Sequence, residues 1–129
     1  MTDLNKIAEG YITAWNESDA SRRAELLKAT FTEDVSYRDP LMQGDGHDGV
    51  AALIDGVQQR FAGFRFSLKG TPDGFADKIR FSWNLGQVGT PSVIEGTDMG
   101  VIENGRLTLS GTAAELIENP EVRRSYLGR

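Results

Sequence analysis

The 129-residue chain has no cysteine and a single histidine, His47. The first absence excludes disulfides, thiolate nucleophiles and cysteine metal sites, and the second excludes histidine metal clusters. Basic residues are outnumbered, 14 against 19 acidic, for a net charge of −5. The densest basic runs are the pairs Arg22-Arg23 and Arg123-Arg124, which argues against nucleic acid and against an anionic membrane as partners. No apolar run approaches the length of a bilayer-spanning helix. The opening residues Met1 to Lys6 do not form a secretory signal, so a cytoplasmic location is expected. Any chemistry must rest mainly on carboxylates, tyrosines and backbone dipoles, or on a cofactor.

What is present is one domain's worth of alternating patterns, read as a single unit over 1–129. Leu4, Ile7, Ala8, Tyr11, Ile12 and Trp15 recur at spacings of three and four, which predicts an amphipathic helix over 3–16, capped by Thr2 or Asp3. Tyr11 lies inside the apolar stripe and faces a core or a cavity. A second helix is expected over 19–30, and a third over 48–61 with Val50, Leu53, Ile54, Val57 and Phe61 as its stripe.

Between the second and third helices, Val35, Tyr37 and Asp39 fall on one side of an extended segment over 34–39, with Ser36 and Arg38 on the other. Pro40 removes Asp39 from the helical region and stops the strand. A carboxylate thus ends a short strand on its inward side, where carboxylates are rare. Met42 to Asp48 reads as a glycine-rich loop. Its Gly44-Asp45-Gly46-His47-Asp48-Gly49 spells a G-x-G-x-x-G, but the strand after the third helix ends basic, at Lys69, and three acids would repel a pyrophosphate. Those acids also lack the alternate spacing of a calcium loop. His47 reads as a surface or capping residue.

From residue 63 the period falls to two. Phe64, Phe66 and Leu68 alternate with polar residues, and Thr71 to Gly74 reads as a turn. Ile79, Phe81, Trp83 and Leu85 share a face of the next strand, 75–85, and a loop follows over 86–91. In the strand 92–102 Asp98 shares a face with Ile94, Gly96, Gly100 and Ile102, an acid flanked by glycines. Glu103 to Arg106 is a hairpin turn. Thr112 to Glu118 suits either a helix or a continued strand, and a polar tail follows Asn119-Pro120. The fold class is α+β, with three N-terminal helices packed on a curved, mostly antiparallel sheet.

Three segments resemble the NTF2-like superfamily in its SnoaL-like branch, which includes polyketide cyclases and ketosteroid isomerase. They are Tyr11 to Asp19, Phe31 to Pro40 with its F-x-E-D-V and D-P pattern, and Gly96 to Leu107. The resemblance spans about residues 4 to 110, and the tail from about 113 is atypical. It implies a cone-shaped NTF2-like fold, a homodimer and a small hydrophobic ligand. Residue by residue, it places Asp39 where ketosteroid isomerases keep their proton-shuttling carboxylate, and Tyr11 and Asp98 where they keep two oxyanion-hole donors. Ketosteroid isomerase is itself the standard example of a buried carboxyl kept protonated to donate. Asp98 also resembles the acid–base aspartate of SnoaL-type cyclases, although no histidine stands on the matching strand here. Trp15, Leu53, Val57, Phe66, Phe81 and Trp83 are expected to line the pocket, and neither a metal nor an organic cofactor is required.

Two functions compete. A cofactor-free acid–base enzyme acting on a carbonyl compound predicts that Asp39, Asp98 and Tyr11 converge on an apolar pocket. A ligand-binding or dimerisation module predicts a pocket filled by its aromatic side chains, with Asp39 exposed or turned away.

Overall fold

A computed structural model describes residues 3–39, 42–87 and 89–116. Helix α1, Leu4–Asn16, starts where the Asp3 carboxylate accepts from Lys6 N–H at 3.2 Å. Helix α2, Ala20–Thr30, is capped by Asp19 in the same way, at 3.0 Å from Arg22 N–H. Each cap satisfies a backbone donor that the first turn leaves without a partner.

The segment before the third helix departs from the expected loop. Strand β1, Ser36–Arg38, pairs antiparallel with β2, Gln43–Asp45, and α3 begins at once, spanning Gly46–Arg60. The glycines make this possible. A Cβ on Gly44 would stand 2.5 Å from the Gly49 carbonyl oxygen, so β2 and the first turn of α3 meet backbone to backbone. The G-x-G-x-x-G motif is therefore a strand–helix packing device. His47 Nε2 lies 3.1 Å from the Phe31 carbonyl oxygen and ties the start of α3 to the end of α2.

The main sheet has the order β3-β4-β5-β6, antiparallel throughout, with β3 Arg65–Phe75, β4 Lys78–Gly86, β5 Ile94–Glu103 and β6 Arg106–Leu116. The turn expected at Thr71 to Gly74 lies inside β3. The register jumps from Lys69↔Ser82 to Asp73↔Arg80, so Gly70, Thr71 and Pro72 oppose Phe81 alone. Pro72 lacks an amide hydrogen and suits this break in the ladder, and Gly70 supplies a φ of +71°. The reversal falls at Ala76-Asp77 instead, and β4 begins at Lys78 rather than at Phe75. Asn104 and Gly105, with φ of 50° and 79°, make the tight β5–β6 turn. Beyond it the ambiguous segment continues as strand to Leu116, and the polar tail lies outside the described residues.

The helices cover one face of the curved sheet, and Tyr11, Trp15, Leu27, Phe31, Ile54, Phe81 and Leu107 are among the buried residues between them. Edge strand β3 is held by Asn16 at the end of α1. The side-chain carbonyl accepts from Phe66 N–H at 2.8 Å and the side-chain amide donates to Phe66 O at 2.9 Å, replacing the missing neighbour strand. Asn16→Ala is expected to cost about 1–3 kcal/mol, because it leaves both backbone groups unmatched. Urea unfolding checks this.

Candidate active site

Two tyrosines and two carboxylates enter the aromatic core, from α1, from β1 and its end, and from β5. Tyr11 and Trp15 stand one turn apart on the buried stripe of α1, and their rings stack at 5.9 Å. Tyr37 on β1 and Asp39 just beyond it point the same way, as strand alternation requires. Asp98, in the middle of β5, is fully buried and pairs in register with Phe81 of β4. The Phe81 ring in turn meets Tyr11 edge to face at 4.8 Å.

Each carboxylate is matched to a tyrosine. The Tyr37 hydroxyl donates to Asp39 Oδ2 at 3.0 Å, while Met42 N–H donates to Asp39 Oδ1 at 3.0 Å. Asp39 is thus 9% exposed, with one oxygen turned to the core and the other closing the turn that follows the strand. Tyr11 lies close enough to Asp98 for the carboxylate charge to act on its phenol. Burial, and then the negative charge of Asp98, push the Tyr11 phenol well above its ordinary pKa, and Tyr37 and Asp39 push the same way. Tyr11 therefore remains a protonated donor.

A measurable pH dependence follows. An unfolded tyrosine loses its proton near pH 10, whereas the folded chain keeps that of Tyr11 to a higher pH. Between those two values the folded state binds the extra proton, so stability falls as pH rises, with a limiting slope of about 1.4 kcal/mol per pH unit. Below pH 10 this contribution is complete. Tyr11→Phe is expected to unfold less steeply with pH above 10, which paired denaturant titrations at pH 9 to 11.5 check.

Against the two tyrosines lies a cavity of about 10 Å³, with room for about one water, and of the three expected catalytic residues Tyr11 borders it while Asp39 and Asp98 do not. Its walls include Tyr11, Trp15, Tyr37, Phe66, Trp83 and Leu85. A larger groove of about 470 Å³ runs outside it, between α3 and the start of β3, and Trp15, Val57, Phe66 and Leu85 border both spaces. The expected wall residues Trp15, Val57, Phe66 and Trp83 border the inner cavity. Phe81 instead supports Tyr11, and Leu53 is turned off the buried face of α3 toward Gly44. Tyr37 is the participant the sequence reading gave no role. Its two-residue offset from Asp39 on an extended strand was the available signal. Among the described residues, no three acidic or histidine side chains gather as a metal site would require.

The profile of the SnoaL-like domain matches residues 8–110. The chain belongs to the SnoaL-like family. A proposed isomerase of that family from Agrobacterium tumefaciens is 41% identical, with 88% of this chain and 97% of that one covered and a TM-score of 0.77. Two more distant structures share the fold of this SnoaL-like protein. A proposed polyketide cyclase from Sinorhizobium meliloti has 17% identity over 85% of this chain and 94% of its own, with a TM-score of 0.62. A protein of ketosteroid isomerase-like fold from Catenulispora acidiphila, in complex with trimethylamine, has 12% identity over 97% and 95%, with a TM-score of 0.70. No curated protein matches the sequence. Among the described residues no helix is long and apolar enough to cross a membrane.

Proposed function

We propose that this SnoaL-like protein is a cofactor-free acid–base enzyme that moves a proton on the carbon beside a carbonyl group of a small hydrophobic molecule. The observation that carries the reading is that the two tyrosines bordering one aromatic cavity each lie against a buried carboxylate. Asp39 is the general base. Its Oδ2 exchanges the Tyr37 hydrogen bond for the substrate proton, and the electrons of the broken C–H bond form an enolate. Tyr11, kept protonated, gives its one O–H to the enolate oxygen, and Asp98 positions the phenol. Return of the proton to another carbon gives isomerisation, and attack of the enolate carbon on a second carbonyl gives cyclisation. Substrate enters from the outer groove when Phe66 swings from the shared wall. In keeping with the family resemblance, the reading has 1–129 as one catalytic unit acting in the cytoplasm as a homodimer.

The test is exchange of α-protons for deuterium in D₂O, followed by proton NMR on a panel of apolar ketones. Catalysed exchange at one ketone supports the enzyme. The tightness of the inner cavity favours a second reading, a ligand-binding module without turnover. Ligand binding with no exchange across the panel would establish that second reading instead.

A further inference from the structure

The proton-transfer scheme leaves two buried donors without a use. Trp15 is 3% exposed and Trp83 5% exposed, and among the described residues neither indole Nε1–H has an acceptor. A buried donor without an acceptor is a standing destabilisation that native proteins rarely carry without a reason. These two are not scattered. Both indoles border the inner cavity, and the Phe66 ring stands between them, 5.4 Å from Trp15 and 5.3 Å from Trp83. The other polar side chains on that wall, among the described residues, are Tyr11, which lies against Asp98, and Tyr37, which donates to Asp39. Among the described residues, the two indoles are therefore the N–H donors on the wall still to be matched, and no carboxylate or side-chain amide oxygen borders the cavity.

We infer that the Trp15 and Trp83 indole N–H groups form an acceptor-reading subsite, which selects ligands carrying a carbonyl, ether or lactone oxygen in addition to the reacting carbonyl. With Phe66 swung toward the outer groove, a ring compound with such an oxygen stacks against that ring and satisfies an indole donor that the protein itself leaves unmatched. A hydrocarbon of the same shape gains the stacking and leaves the indoles as they are. The inference rests on the cavity being the ligand site, but it does not depend on catalysis.

Coumarin and naphthalene separate these cases, because they share a fused bicyclic shape and neither has an exchangeable α-proton. In protein labelled with ¹⁵N at its two tryptophans, coumarin is expected to move an indole N–H resonance downfield, and naphthalene is not. Trp83→Phe or Trp15→Phe should weaken coumarin about tenfold, the loss of one buried hydrogen bond, and leave naphthalene within about twofold. The subsite is refuted if coumarin binds wild-type protein no more tightly than naphthalene, if both ligands move the indole signals alike, or if the variants weaken both equally. The wild-type spectra decide the matter should a variant fail to fold. Loss of ketone exchange activity with coumarin binding intact would sink the enzyme reading alone.

Discussion

Asp39→Asn is expected to lower catalysed α-proton exchange by about a hundred- to ten-thousandfold, the range over which a positioned general base acts. The geometry makes the substitution a clean one. The carbonyl oxygen of the introduced amide can still accept from Met42 N–H, which now donates to Oδ1 at 3.0 Å, so the turn after β1 survives. The amide nitrogen takes the place of Oδ2, facing the Tyr37 hydroxyl, which can accept as well as donate. Fold and cavity shape are therefore preserved while the base is removed. The measurement is the exchange rate at fixed ketone concentration, alongside the thermal midpoint. A rate within about threefold of wild type at an unchanged midpoint, far short of the loss of a general base, would remove Asp39 from the chemistry and leave its role in the turn as the whole explanation.

The largest expected stability effect lies on the opposite wall. Gly96 of β5 pairs in register with Trp83 of β4, and the indole lies flat across the place where a side chain would stand. A Cβ there would overlap the six-membered ring of Trp83, which is buried and cannot move aside without displacing Phe66. Gly96→Ala is expected to cost about 3 kcal/mol, the upper part of the usual range for overpacking, and to lower the melting temperature by roughly 10 °C. Urea and thermal unfolding measure this. The collision is pairwise, so it should disappear when the ring is absent. In the Trp83→Leu background Gly96→Ala should cost less than about 1 kcal/mol, a strong non-additivity. Equal costs in both backgrounds would place the strain in the backbone of β5 instead.

These two residues also show how far the sequence carried. Glycines beside a buried acid on one strand face marked a close approach. Only the register of β4 against β5 could say that Trp83 makes it, because pairing partners are long-range facts. The three helices were legible because each carries a stripe at helical spacing, and two of them a side-chain cap, as at Asp19. The Thr71 to Gly74 stretch misled for a physical reason. Proline and glycine mark a break in regular pairing, and a bulge breaks it as a turn does. The short β1–β2 ribbon was hidden because Gln43, Gly44 and Asp45 carry no alternation of apolar residues. At the site, alternation on one strand placed Asp39 inward, and the resemblance to known relatives pointed to Tyr11 and Asp98. The Tyr37–Asp39 bond needed only the offset of two residues to be noticed. The narrowness of the cavity depends on how Trp15, Phe66 and Trp83 interlock, which no single strand or helix pattern encodes.

The chain contains only two tryptophans, and both of them border the same cavity. Light absorbed at wavelengths where tyrosine is transparent is therefore absorbed only there, and all the emission that returns comes from the cavity wall. The protein carries its own optical probe, with no background from elsewhere in the fold. A shift in colour or intensity reports a change at the Phe66 gate, whether from ligand entry, from water admitted to the indoles or from the wall loosening before the rest of the chain unfolds.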